Sequence, residues 1–491
     1  MERAGLRGRG YEGECPTAWR GLQPGAPIDR RAAHSQHRRM TPDAERALLR
    51  HVLETPDDAI PPAARAAARV FVLDTLAVGV AGTGHEKQPA IVAAASRWGT
   101  GSEATVWGQG TRLPTAQAAF VNAFQAHALE FDAIHEAAVV HAMTPTLAAA
   151  FAEAERQGTV GGFRFVSAVV FGLELACTVG AASRGTMRFF RPATAGMFGA
   201  YGAVARLRGF DLATGSAGAG LLLGQIPGTM QAHHEGSIAL AVQMGFAAAA
   251  GLRAADLAAA GVHGPEAWLT GRSGFLAMTE PEHDLAPALA TLGSTWQVQA
   301  LSHKPFPSGR LTHPVIDGLQ RLRARETIDP ASVREIRLHL PPLAMRLVGR
   351  PLRDDLTPSY ARLCLPFVAA TTLRFGTVGL ADFTPARLAD PETLALAARV
   401  RLIEDGNPDP NAVVPQTVEV AHGTTARVTV EHTLGSPANP LSREAQFAKA
   451  SACLAAARPP CLDLAALVGA VETLDAAPDI GALARAVSGR G

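Results

Sequence analysis

Cysteine is scarce in this chain and never clustered. Cys15, Cys177, Cys364, Cys453 and Cys461 form no CxxC or CxxxC pair. That spacing excludes the thiolate sets that hold iron–sulfur clusters, and an odd, dispersed count suits a reducing cytoplasm better than a disulfide framework. A charge excess is missing too. The 45 Lys and Arg residues face 44 Asp and Glu residues for a formal net charge of +1, which gives no general electrostatic reason to expect nucleic acid or an anionic membrane as partner. No GxGxxG follows a strand and no GxxxxGK[ST] occurs, so a dehydrogenase or other nucleotide enzyme is set aside. No secretory leader is visible at the N-terminus. The longest apolar stretch, residues 237–252, is mostly Ala and Gly with Gln243 inside it. Membrane insertion is driven by Leu, Ile and Phe, so this stretch predicts a buried core helix.

What is present is material for a large core. Hydrophobic residues make up 47% of the 491 and charged residues 18%, which excludes wholesale disorder and allows two or three domains. Residues 1–39 differ from the rest: they are rich in Arg and Gly and lack apolar periodicity. They read as a disordered basic tail or a misassigned start, with Met40 as the natural first residue, because Thr41-Pro42-Asp43 looks like a fresh helix start. From Ala63 the pattern is helical. Val70, Leu73, Leu76 and Ala77 share one face, and the glycines of 79–82 end the run. Helical patterns recur at 115–130, 145–156, 166–182, 196–208 and 237–260, with small residues on their faces. The expected architecture is mainly α, with a large helical domain over 40–275.

Beyond residue 275 the texture changes. Residues 333–340 are β-branched and alternating, and Pro341-Pro342 stops them. Residues 417–421 and 426–432 flank His422-Gly423-Thr424-Thr425 as a β-hairpin. Residues 313–323 and 361–375 look helical. A smaller α+β domain over 276–435 follows. Residues 436–491 are helical again, with Ser442 as the expected N-cap, and should pack back on the first domain.

Five segments resemble one known family. Asp74-Thr75-Leu76 with Gly82 is similar to its LLDTLG opening. Ala118-Ala119, Asn122 and His127-Ala128-Leu129 are similar to AAxxNGxxAHxLDFDD. Lys304-Pro305-Phe306-Pro307 through Thr312-His313 resembles KPYPCCxxTH. Residues 361–367 (Ala-Arg-Leu-Cys-Leu-Pro-Phe) resemble AKFSLPY, and Asn439-Pro440-Leu441-Ser442 resembles NPLS. In that order, over essentially everything after Met40, they resemble the MmgE/PrpD (2-methylcitrate dehydratase-like) family. The resemblance implies a helical domain completed by the C-terminal segment, a smaller α+β lid, a homodimer, and an active site between the two domains. It also implies chemistry on small di- and tricarboxylates without a metal or other cofactor: dehydration, decarboxylation or epimerisation.

All of these reactions create or quench negative charge beside a carboxylate, so a base or acid and cationic donors are required. The stretch 130–135 (Glu-Phe-Asp-Ala-Ile-His), running on to His141, stands against the family's DFDDTH and a following histidine. Asp132, His135 and His141 are retained, whereas Ala133 and Ile134 replace an Asp and a Thr. Asp132 and His135 are expected to touch across a helical turn. His141 is the expected general acid/base, because imidazole titrates near neutral pH, with Asp132 orienting it. Residues 235–248 align with EGTWTKRLHPGWAA, and there Leu240 replaces the lysine and Gln243 the histidine. Lys304, Arg310 and His313 lie close in sequence on a proline-stiffened segment. Arg310 suits bidentate carboxylate binding and Lys304 a point-charge contact at the reaction centre. Arg191, in Phe190-Arg191-Pro192, stands where a histidine is usual and could restore the charge lost at Leu240. His135, Arg191, Gln243, Arg310 and His313 are the expected substrate contacts; Ala133, Ile134 and Leu240 are departures in the pocket wall.

Gly309 occupies the position of a histidine in related decarboxylases, which counts against cis-aconitate decarboxylation. Adjacent His233 and His234 would point about 100° apart on a helix and make a poor metal pair. The leading expectation is a metal-independent lyase or isomerase acting on a small carboxylic acid. Decarboxylation or epimerisation, and a non-catalytic binding relative, are the alternatives. The apolar Ile134 and Leu240 predict a substrate with fewer anionic groups, or a bulkier apolar arm, than methylcitrate.

Overall fold

The computed structural model describes residues 41–459 and 463–489. The expectations for the basic tail and for Met40 as first residue lie outside them. The first part is a stack of helices: α1 (Thr41–Glu54), α2 (Pro62–Ala81), α3 (Thr115–His127), α4 (Met143–Gln157), α5 (Gly162–Ala181), α6 (Gly196–Arg208) and α7 (Ala239–Ala259). Small residues let these helices approach closely. A Cβ on Gly199 of α6 would lie 2.4 Å from Thr146 Oγ1 of α4, and one on Gly172 of α5 would lie 2.6 Å from the Gly199 carbonyl. The glycine at 79 does not end α2, which runs on to Ala81. A Cβ there would sit 2.6 Å from the ring of the buried Trp107, so close packing explains the residue. By length and composition α2 and α5 could cross a membrane, but most of each is buried inside the protein, as in a core helix.

The second part is α+β. Helices α8 (His313–Arg325) and α9 (Leu365–Phe375) pack on a four-stranded sheet. Two-residue strands β1 (Ala104–Thr105) and β2 (Arg112–Leu113) pair in the helical part, and β3 (Ile134–His135) pairs with β4 (Leu301–Ser302). The main sheet has the order β6-β5-β7-β8, from β5 (Glu335–Leu340), β6 (Val400–Glu404), β7 (Gln416–Ala421) and β8 (Thr425–Val430). β7 and β8 form the expected hairpin, with Ala421 opposite Thr425. Sequence reading missed β6, a parallel edge strand beside β5 whose half-exposed residues carry little apolar alternation. The helix expected over 361–375 is interrupted: α9 starts at Leu365, with Cys364 in extended backbone before it. That break follows from Pro366, which has no N–H for the Arg362 carbonyl and would clash with it in a continuous helix, so the proline sits in the first turn of α9.

The chain then returns to the helical part. Ser442 accepts a hydrogen bond from the Ala445 amide at 3.2 Å and caps α10 (Arg443–Ala455), which packs on α2. Lys449 of α10 donates to Asp74 of α2 at 2.6 Å, and both side chains are buried. The architecture is a large helical domain completed by the C-terminal segment, with a smaller α+β domain.

Candidate active site

The site begins where α3 ends. His127 is the last residue of α3, and Glu130 takes a left-handed φ of +50°, unusual without glycine. This reversal brings Asp132 back under His127. The expected helical turn across 130–135 is therefore replaced by a bend and strand β3, and Asp132 does not meet His135. Instead His127 Nδ1 lies 3.1 and 3.0 Å from the two carboxylate oxygens of Asp132, and Thr144 Oγ1 donates to Oδ2 at 2.5 Å. His141 Nδ1 stands 3.2 Å from Oδ2, close to the carboxylate but off the line of a well-directed hydrogen bond. Asp132 is fully buried.

One carboxylate thus serves two imidazoles, and their surroundings separate them. Burial pushes Asp132 up, but His127 and His141 hold it well below the usual carboxylate range. Burial disfavours the charged form of His127, yet Asp132 and Glu130 together raise its pKa. For His141, burial dominates; Lys304 and His127 add to the lowering, and the attraction of Asp132 does not offset it. His127 is thereby favoured in its charged form and His141 in its neutral form. Their rings meet edge to face with centroids 4.9 Å apart.

His127 and His141 both face a hollow of about 650 Å³. Its wall is largely hydrocarbon and includes Ile134, Val139, Phe190, Leu240, Leu343 and Leu347. Two of the three expected departures, Ile134 and Leu240, are on that wall; Ala133 is buried and is not. A smaller hollow of about 300 Å³ adjoins it, sharing His127, Glu130, Leu240 and Leu363, and is faced by Arg350 and Arg362.

The other expected site residues are placed as follows. Lys304 is fully buried and lines neither hollow. Its ammonium donates to Glu130 Oε2 at 2.8 Å and to the Glu130 carbonyl at 3.1 Å, so Glu130 stands between it and the hollow. Although burial pushes Glu130 up, Lys304, His127 and His141 pull its carboxyl down to about 2. Arg310 does face the larger hollow, but Glu136 already accepts from its Nε at 2.7 Å, and the Leu434 carbonyl accepts from Nη1 at 2.7 Å. His313 directs Nε2 at the Ser308 carbonyl, 3.1 Å away, and burial with the neighbouring Arg310 keeps it neutral. His135 accepts from the Ala138 amide through Nδ1, which leaves the proton on Nε2, 3.0 Å from Gln297 Oε1. It pins the 135–140 turn.

Arg191 lies outside both hollows. Its guanidinium makes a bidentate pair with Glu280, at 2.8 and 3.1 Å, and also donates to Ser183 Oγ at 2.6 Å. Glu280 lies 89 residues away, which is why local motif reading could not find the pair. Gln243 accepts from the Thr229 amide and supports the turn at Gly228.

Sequence reasoning did not single out His127, Glu130, Glu136, Arg350 or Arg362 as site residues. His127 and Arg362 both lie inside segments that carry the resemblance, Arg362 where the family's AKFSLPY has lysine, so a signal was present. Arg350 had none. His127, Asp132 and His141 also place one ligand atom each within 4.8 Å of one another, a spacing a metal ion could bridge. The direct contacts of both imidazoles with the carboxylate give the cluster an internal charge balance.

With this geometry in hand, comparison with known proteins gives the family. Residues 46–288 match the model of the MmgE/PrpD N-terminal domain and residues 306–465 that of the MmgE/PrpD C-terminal domain. The chain belongs to the MmgE/PrpD family, and at that level it is an enzyme of the lyase or dehydratase type. Among curated relatives it is similar to the cis-aconitate decarboxylase of Mus musculus, with 26% identity over 85% of this chain and 88% of that one. It is also similar to a cis-aconitate decarboxylase-like protein of Aspergillus oryzae, with 28% identity over 65% of this chain and 70% of the relative. The cis-aconitate decarboxylase of Homo sapiens is 26% identical over 68% and 70%.

Proposed function

We propose that the protein is a metal-independent lyase that transfers a proton at the carbon next to a carboxylate of a small organic acid. The observation that carries this reading is the single buried carboxylate of Asp132, 3.0 Å from His127 Nδ1 and 3.2 Å from His141 Nδ1, with both imidazoles facing one hollow and shifted in opposite directions, His127 toward its charged form and His141 toward its neutral one. Pairs of titratable groups whose surroundings push them apart supply an acid and a base at one pH. In dehydration, His141 Nε2 takes the proton from the α-carbon. The C–H electron pair becomes the new C=C bond, the C–O bond of the neighbouring carbon breaks, and the oxygen leaves as water with the proton of His127. Asp132 stays ionised throughout and balances whichever imidazole is charged.

A second reading is decarboxylation, supported by the names of the three relatives. There the C–C bond to a carboxylate breaks, carbon dioxide leaves, and His127 protonates the carbon. Gly309, where related decarboxylases resemble one another in carrying histidine, weighs toward dehydration. A cytoplasmic homodimer, with no nucleic-acid or membrane partner, completes the proposal.

The test is proton exchange in heavy water followed by NMR. Wild-type protein should place deuterium at the α-carbon of a substrate acid, and His141→Gln should not. Absence of exchange and of product with every di- and tricarboxylate tried, alkylated ones included, would sink the reading.

A further inference from the structure

We infer that the substrate is an amphiphilic organic acid, with a carboxylate held between Arg350 and Arg362 in the smaller hollow and an apolar arm lying along the larger one. This rests on the proton-transfer reading and deepens it by naming a substrate class. Arg350 and Arg362 are only 7% and 4% exposed, and both face the smaller hollow. Among the described residues, neither makes an ion pair with a carboxylate. Arg350 donates to the carbonyls of His233, Ser359 and Tyr360, and its buried Nε has no partner. Arg362 donates to the Pro307 carbonyl at 2.7 Å and lies over the ring of Phe383. The nearest shared acid, Glu130, is already held by Lys304.

The Glu130 carboxylate attracts both guanidiniums, but it is already paired with Lys304, so three buried cations share it, and an anion entering between Arg350 and Arg362 relieves that imbalance. Arginine suits the task, because its planar fork matches a carboxylate. The hollow also opens at the first turn of α7, lined by Ile238, Leu240 and Ala241, and a helix N-terminus of that length favours negative charge. Positive charge is therefore supplied from the Arg350 and Arg362 side, while Leu240 at the junction is aliphatic.

The larger hollow cannot take the rest of a polyanion in the same way. Val139, Met187, Leu343, Leu347, Val348 and Val413 present hydrocarbon, and its one buried guanidinium, Arg310, is neutralised by Glu136. Carboxylates placed there would lose hydration without gaining partners. An alkyl arm instead removes apolar wall from water. The acid's reacting carbon then falls at the junction, where His127 and Glu130 face both hollows and His141 faces the larger.

The test is calorimetric binding to the full chain of a series from citrate through 2-methyl-, 2-butyl- and 2-hexylcitrate. Affinity should rise about fourfold per methylene until the hollow fills. Met187→Trp should move the preferred arm to a shorter length. Arg362→Gln should weaken the best ligand at least tenfold, with Arg362→Lys losing less. Equal affinity across the series, or an unchanged affinity in a folded Arg362→Gln variant, overturns the inference. Because binding is read without turnover, the two readings fail separately. A rising series with no proton exchange removes only the catalytic reading, and turnover of citrate with a flat series removes only the substrate class.

Discussion

The Lys304 ammonium lies 2.8 Å from Glu130 Oε2, and Glu130, not Lys304, reaches the cavity. A lysine that sequence comparison would assign to the substrate is turned inward here. It holds Glu130 ionised, and Glu130 in turn raises the pKa of His127. In the proposed chemistry Lys304 therefore acts through two intermediaries.

That relay has a stability signature. Glu130→Gln leaves the Lys304 ammonium buried without its counter-ion and should cost about 3–5 kcal/mol in urea unfolding. The double variant Glu130→Gln, Lys304→Met should cost clearly less than the sum of the single changes. Strict additivity would show that the pair does not act as a unit.

His141→Gln removes the neutral base without removing volume from the cavity wall. Turnover should fall by about 10²–10⁴, while the thermal midpoint stays within a few degrees of wild type. Comparable loss from His141→Gln and from a distant cavity-wall change would argue that the residue shapes the pocket only.

Activity should be bell-shaped in pH. His141 must be neutral, and its pKa lies below the ordinary value of about 6.5, so the acid limb falls on the acid side of that value. His127 must be charged, and its pKa is raised, so activity is lost as pH rises through it, on the alkaline side. The two groups share Asp132, so the limbs belong to the coupled pair. In Thr144→Val, which removes a hydrogen bond to Asp132, the limbs should move. An unmoved profile would disconnect Asp132 from the titration.

Gly309 is constrained by space. A Cβ there would meet Leu363 Cδ2 at 2.4 Å and Val348 Cγ1 at 3.0 Å. Gly309→Ala should destabilise the protein by about 1–3 kcal/mol through overpacking, and Leu363→Ala should recover part of that loss. Gly309→His in an otherwise unchanged chain should not yield decarboxylation, because Leu363 fills the space the imidazole needs.

Turnover should survive exhaustive chelation and dialysis. If EDTA abolishes activity and a divalent ion restores it, the cluster of His127, Asp132 and His141 is a metal site, and proton transfer by free imidazoles must be abandoned.

Much of the fold is legible in one dimension because helices and hairpins are set by neighbours a few residues apart. The 3.6-residue periodicity marks α2 through α7, alternation marks β5, β7 and β8, and Ser442 caps α10 as its sequence position suggests. β6 is missed because its residues after Val400 are half-exposed or exposed and leave no alternation, unlike those of β8 at the other edge. The local reading fails at 130–135 for a related reason. One residue with positive φ converts an expected helical contact into a reversal, and glutamate gives no warning of it.

The sequence by itself determined the residue types that any such site needs: Asp132 and His141 within ten positions, and an aliphatic residue at 240 where the family has lysine. Only tertiary structure decided which charges remain free. Arg191 is neutralised by Glu280, Lys304 by Glu130 and Arg310 by Glu136, whereas Arg350 and Arg362, beside the cavity, make no ion pair of their own among the described residues. The physical reason is that a charge's role depends on the counter-charge and the water around it, and both are fixed by residues far away in the chain.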